Sequence, residues 1–232
     1  MSTVVTGVPR PDRDLVDAFD RVGVATIHEA QGRKGLMAPR LRPILLGAHI
    51  AGTALTVSVP PGDNLMIHVA IEQLREGDIL VVAPTSHCES GYFGGLLAVA
   101  ALARGARGLV IDAGCRDVAE LRDIGFPVWS RAVSAEGAVK ETLGEVNLPV
   151  VCGERSVNPG DIIVADDDGV VVVPSDDARA VLEASHARDR REQELSRRYA
   201  AGELGLDVHS MRAALKAKGL RYEEHCGPAS TA

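Results

Sequence analysis

The sequence predicts an α/β fold whose strands are buried on both faces by helices, and three observations carry that prediction. Apolar runs of strand length alternate with segments of helical periodicity between residues 50 and 130, the pattern of strands joined by crossover helices. The chain is 46% hydrophobic but only 3% aromatic, so its core is built from Val, Leu, Ile and Ala, as in doubly covered strands. Its 232 residues are enough for a sizeable core in one or two domains.

The elements follow in order. Leu15, Val16, Phe19 and Val22 share a helical face over residues 12–22, and a Gly-rich stretch follows at 31–35. Residues 51–59 read as a strand stopped by Pro60-Pro61-Gly62. Asp63 reads as the N-cap of a helix that runs to about residue 75. Residues 78–84 form a buried strand, 91–95 a flexible Gly-rich entry, and 96–104 a helix. A strand at 108–112, a helix near 117–124 and a strand at 127–130 complete the alternation. Beyond it, short strands are expected at 150–152, 161–165 and 170–173. The last two are joined by a turn at Asp166-Asp167-Asp168-Gly169. This triple Asp lacks the spacing and closing Glu of a calcium loop. Residues 175–200 read as a charged helix, 208–218 as a further helical segment, and the tail from Glu223 as loose. No repeat, low-complexity linker or clear domain boundary is visible.

Composition narrows the function classes. A net charge of −7 and a pI near 5.5 argue against a nucleic-acid partner. A local Arg can still serve an anionic substrate. There are 21 Arg and four Lys, which favours bidentate carboxylate binding over Schiff-base chemistry. Cys88, Cys115, Cys152 and Cys226 form no C-x-x-C pair and read as reduced thiols of a cytoplasmic protein. Residues 1–10 have no apolar core of a signal peptide, and no stretch is long enough to span a bilayer, so neither secretion nor a membrane partner is expected.

Ligands in open α/β sheets sit beyond the carboxyl ends of strands. Gly91–Leu97 and Ala113–Asp117 both fall at such ends, each just before a helix. The N–H groups of Gly95, Leu96 and Leu97 can receive a carboxylate at the helix start, although a Gly94-Gly95 start is equally a plain tight turn. Arg116 offers a donor fork for a keto oxygen or carboxylate, and Asp117 a hard oxygen ligand for Mg²⁺. The same pair reads, alternatively, as a helix cap with a surface Arg. Weaker signals recede on inspection. Lys34, Lys140, Lys216 and Lys218 do not end buried strands, as a Schiff-base lysine requires. His28-Glu29-Ala30-Gln31-Gly32 lacks the second His of a zincin helix, and the seven histidines read as structural or surface residues. No phosphate-binding Gly motif is present.

Several stretches together resemble a known family. They are Val57-Ser58-Val59-Pro60-Pro61-Gly62-Asp63-Asn64, Gly91-Tyr92-Phe93-Gly94 and Val110-Ile111-Asp112-Ala113-Gly114-Cys115-Arg116-Asp117. Phe126-Pro127-Val128-Trp129-Ser130, Val164-Ala165-Asp166-Asp167-Asp168-Gly169-Val170-Val171 and Ala200-Ala201-Gly202-Glu203-Leu204-Gly205-Leu206 continue the match. From about residue 22 to 222 the chain resembles the 4-hydroxy-4-methyl-2-oxoglutarate / 4-carboxy-4-hydroxy-2-oxoadipate aldolases, RraA-like proteins of the class II pyruvate aldolase type. The wider family includes non-enzymatic regulators of RNA processing.

The resemblance implies a layered α/β sandwich of the RraA-like, swivelling β/β/α type with a helical C-terminal extension. It implies one domain over residues 1–232, with residues 175–222 an arm packing on a neighbouring subunit of a homotrimer or homohexamer. It also implies a small 2-oxo acid substrate, Mg²⁺ or Mn²⁺, release of pyruvate, and oxaloacetate decarboxylation as a side activity. Arg116 and Asp117 match the family's Arg-Asp as catalytic residues, with Asp117 also holding the metal. Gly94, Gly95, Leu96, Leu97 and Arg116 fall in the substrate-binding positions. A metal-proximal Glu from a neighbouring subunit falls on Glu192, which read alone is a solvated helix residue pairing with an Arg. The family's acidic residue, separated from the Arg-Asp by twenty residues of any type, is replaced by Gly95. Glu89 is one conceivable substitute. The departure leaves open a competent aldolase, a decarboxylase only, or a catalytically impaired binding protein.

Overall fold

The computed structural model describes residues 2–225, and Cys226 lies outside them. The chain divides into two compact units, one up to His186 and one from Ala187.

In the first unit the chain forms α1 (Arg13–Ala18) and α2 (Val24–Ala30), then β1 (Arg42–Pro43), β2 (Ile50–Val59), α3 (Leu65–Gln73) and β3 (Asp78–Pro84). It continues through β4 (Gly91–Phe93), α4 (Gly95–Ala103), β5 (Gly108–Cys115), α5 (Val118–Ile124) and β6 (Val128–Val133). After β7 (Glu145–Val146), β8 (Val150–Cys152) and β9 (Arg155–Val157) come β10 (Ile162–Asp166), β11 (Gly169–Val173) and α6 (Ala178–Ala200), which runs on into the second unit.

The main sheet has the order β1-β6-β5-β3-β2-β10-β11, with β4 against β5 and β7 against β2. Strands β2, β3, β5 and β6 are mutually parallel, linked by α3, α4 and α5, and β10 returns antiparallel on β2. Alternation along the strands divides the core, because successive side chains leave opposite faces. Leu55, Val57, Leu80, Val82, Leu109 and Ile111 pack with Ile67 of α3, Ala98 of α4 and Leu121 of α5. Their neighbours Ala54, Ile79, Val81 and Val110 pack on the other face with Trp129, Ile163 and Val170. Ala51, Ile162, Val164, Val171 and Val173 form a third cluster with Phe19, Ile27, Ala178 and Val181. Both faces are therefore covered, as the scarcity of polar residues in β2 and β3 requires.

Some expectations are corrected. The helix over 12–22 breaks into α1 and a 3₁₀ turn at Phe19–Arg21. A short helix, α2, follows within the segment before the Gly-rich turn. The cap of α3 is Asn64, not Asp63. Asp63 instead accepts N–H groups from Leu65 (2.9 Å), Glu141 (2.9 Å) and Thr142 (2.6 Å). The Asp-rich turn is a hairpin, with Asp166 paired to Gly169. Its carboxylates are engaged by backbone, Asp166 by Val24 N (2.8 Å) and Asp167 by Gly47 N (2.9 Å).

In the second unit, α6 ends at Ala200 and is followed by α7 (Gly205–Val208) and α8 (Arg212–Ala217), where one helical segment over 208–218 is expected. Arg198 pairs with Glu203 (2.6 Å), Arg212 with Asp207 (2.5 Å), and Tyr199 Oη meets His209 Nε2 at 2.7 Å. Among the described residues no helix is long and apolar enough to cross a membrane.

Candidate active site

Strand β5 delivers Arg116 and Asp117 at its carboxyl end. Asp117 is the N-cap of α5 and adopts a left-handed conformation, φ 57° and ψ 39°. Asp is among the few residues that enter this region at modest cost, and the kink turns the chain at once from strand to helix. Oδ2 of Asp117 accepts the N–H of Gly95 at 3.2 Å and lies 3.6 Å from Arg116 Nε. A Cβ on Gly94 would collide with that carboxylate and press on Arg116 Cγ. Residue 94 is therefore glycine for space, its backbone being extended.

These residues line a cleft of about 100 Å³, together with Leu96 and Leu97 of α4, Tyr92 of β4, Asn64 and His68 of α3, and Lys140. Leu96 and Leu97 occupy the first turn of α4, where backbone N–H groups have no acceptor within the helix. Beneath the cleft, the Tyr92 hydroxyl accepts from Gly62 N (2.5 Å) and donates to Pro60 O (3.1 Å). His68 is held below its ordinary pKa, first by burial and then by the charge of Lys140. Two wider depressions, of about 570 and 540 Å³, lie elsewhere. Of their arginines, Arg10 is paired with Asp78 (2.9 Å) and Arg107 with Asp17 and Ala51 O (2.7 Å).

Gly95 itself is buried. A Cβ built there would fall on the carboxylate of Glu120, against Cδ and both oxygens. Glu120 stands in the first turn of α5, three residues after Asp117. Its carboxylate thus fills the space a side chain at residue 95 would enter.

Residues 13–172 match the model of the RraA-like family, described as Aldolase/RraA. The chain belongs to that family. A relative from Burkholderia multivorans, provisionally named 4-hydroxy-4-methyl-2-oxoglutarate aldolase, is 35% identical over 68% of this chain and 93% of its own length. The 4-hydroxy-4-methyl-2-oxoglutarate aldolase of Thermus thermophilus is 31% identical over 55% of this chain and 77% of its own. Among solved structures, Streptomyces coelicolor RraAS2 belongs by its title to the RNase ES inhibitor RraA family. It superposes with a TM-score of 0.73 at 29% identity, covering 82% of this chain and 99% of that one. The RraA-like layered α/β fold is thus shown, with relatives named as aldolases and a neighbour named in the RNase ES inhibitor RraA family.

Within this RraA-like chain, Gly94, Leu96, Leu97, Arg116 and Asp117 line one cleft, and Gly95 donates its N–H to Asp117. Glu192 does not join them in the structure of the single chain. It lies exposed on α6 in the second unit and pairs with Arg188 Nε at 2.8 Å. Glu89 is not at the cleft either; it lies 3.8 Å from His87 Nε2. Sequence reasoning missed Glu120, Asn64, His68 and Lys140. Only Glu120 had a local signal, its place one helical turn after Asp117.

Proposed function

We propose that this RraA-like protein is a divalent-metal-dependent pyruvate aldolase. Its substrates would be 4-hydroxy-2-oxo diacids of the 4-hydroxy-4-methyl-2-oxoglutarate or 4-carboxy-4-hydroxy-2-oxoadipate type, with oxaloacetate decarboxylation as a side activity. One observation carries the reading: where the family's acidic side chain would start at residue 95, the carboxylate of Glu120 stands instead, beside Asp117's helix start. The donor set fits a hard cation. Asp117 and Glu120 offer oxygens only, and among the described residues no cluster of three metal-ligating side chains forms. Mg²⁺ is commonly held by one or two protein carboxylates and completed by water and substrate oxygens. Asp117 would hold the ion, with Glu192 of a neighbouring copy, and when bound it supplies positive charge for a developing enolate oxygen.

The chain's own groups do the rest. The N–H groups of Leu96 and Leu97 receive the substrate carboxylate. Arg116 donates to the keto oxygen and meets the charge that grows there as the enolate forms, which is where binding accelerates a step. Glu120 takes the proton of the 4-hydroxyl, directly or through a water, as the C3–C4 bond breaks. The bond's electron pair passes to C3 as the pyruvate enolate, C4 becomes a carbonyl, and C3 then receives the proton back. Decarboxylation of oxaloacetate yields the same enolate and requires no proton from a hydroxyl.

A homotrimer or homohexamer belongs to this proposal. Leu96, Val99 and Leu102 leave one face of α4 bare beside the cleft, at 84%, 52% and 49% exposure, an apolar stripe suited to a second copy. The regulator reading has the Streptomyces neighbour in its favour. Pyruvate release from a 4-hydroxy-2-oxo diacid and from oxaloacetate, with and without Mg²⁺, separates the two. Metal-dependent release supports the aldolase, and none from either substrate leaves a binding protein.

A further inference from the structure

The cleft has a second wall that the pyruvyl half of the reaction does not use. Asn64 caps α3 and His68 follows one turn later, while Lys140 comes from the loop after β6. That loop is fastened to the turn before α3. Asn64 N donates to Val139 O (2.9 Å), Val139 N to Gly62 O (2.8 Å), and Glu141 N and Thr142 N to the Asp63 carboxylate. Lys140 is thereby held at the cleft although its own residue is exposed. Asn64 is only 7% exposed. Its Nδ2 donates to Tyr92 O at 2.7 Å, which fixes the amide. Its Oδ1 is buried and has no hydrogen-bond partner among the described residues. Buried acceptors are nearly always satisfied, so an orphan at a cleft calls for a donor that arrives with a ligand.

We propose that Asn64, His68 and Lys140 form the subsite for the half of the substrate that leaves. Lys140 pairs with the distal carboxylate of a diacid, Asn64 Oδ1 accepts from a water that donates to the 4-hydroxyl oxygen and leaves the hydroxyl proton to Glu120, and His68 closes the wall between them. The assignment rests on reading the opposite wall, from Leu96 to Asp117, as the pyruvyl pocket. A carboxylate then meets fixed donors at each end of the cleft, and chains with one carboxylate lose half of that hold. A lysine suits the distal position because its point charge on a flexible stem accepts leaving groups of different length.

The test uses the full chain with Mg²⁺ and three readouts. They are cleavage of 4-hydroxy-4-methyl-2-oxoglutarate, cleavage of the monoacid 4-hydroxy-2-oxopentanoate, and deuterium uptake from D₂O into the methyl group of pyruvate. The last reports on the pyruvyl wall alone. Lys140→Met is expected to lower the diacid-to-monoacid ratio of kcat/KM by roughly tenfold, the scale of one hydrogen bond to a charged group, while exchange persists. Asn64→Ala is expected to lower cleavage of both hydroxy acids relative to exchange. An unchanged diacid-to-monoacid ratio in Lys140→Met overturns the subsite. Loss of exchange together with cleavage in Asn64→Ala assigns that residue to holding Tyr92 and removes it from the wall. Absence of metal-dependent exchange in the unaltered protein removes the pyruvyl reading itself, and the subsite with it.

Discussion

Arg116 leaves β5 with its guanidinium at the cleft, and its proposed task is to meet charge present only in the transition state. Arg116→Ala should therefore lower kcat by roughly 10²-fold or more, the scale of losing one oxyanion donor. Arg116→Lys should recover little of it, since a point charge does not reproduce the fork. A steady-state comparison of the three proteins decides this, and a near-normal kcat in Arg116→Ala would assign the residue to the surface. The Arg-Asp pair was legible in the sequence because both residues sit where a buried run gives way to a helix. Glu120 was not, since an acid in the first turn of a helix is ordinary. Only the position of its carboxylate over Gly95 gives it a function. Asn64, His68 and Lys140 lie too far apart in sequence for any spacing argument to unite them.

At the scale of elements, the turn before α3 and the loop carrying Lys140 depend on one carboxylate. Burial by itself would raise the pKa of Asp63, but the backbone N–H groups of Leu65, Glu141 and Thr142 outweigh it and hold the carboxyl below its ordinary value. A depressed folded pKa stabilises above the unfolded value, about 3.9 for Asp. That contribution is lost as pH falls through the lower folded value. Asp63→Ala should destabilise the protein by roughly 1–3 kcal/mol at pH 7, the cost of stranding buried N–H donors. The deficit should shrink near pH 3, as urea titrations at the two pH values would report. An equal deficit at both would assign the effect to packing alone. Long strands were legible from their apolar runs, and residues 78–84 match β3 to the residue. The short elements α2, β4 and β9 were not, although the equally short β8 was, because over three to seven residues periodicity is a weak guide.

For the whole molecule, the alternating elements gave the α/β class from local pattern, whereas the return of β10 onto β2 is a long-range pairing with no local mark. The chain carries a net charge of −7, yet its cleft presents Arg116 and Lys140, so the proposed capture of a diacid would rest on local charge against the general field. EDTA should abolish turnover and Mg²⁺ or Mn²⁺ restore it, with Asp117→Asn requiring far more metal, because its amide is a neutral ligand. Full activity in EDTA would sink the metal-dependent reading. The central claim, that Glu120 supplies the carboxylate absent at Gly95, is met most directly by kcat/KM for aldol cleavage in three proteins: unaltered, Glu120→Gln, and Glu120→Ala with Gly95→Asp, the truncation at 120 making room for the new side chain. The account predicts a fall of roughly 10²-fold or more in the single variant, the scale of one general base, and substantial recovery in the double variant. The new side chain enters the space the Glu120 carboxylate now fills. Cleavage by Glu120→Gln at the unaltered rate would contradict it.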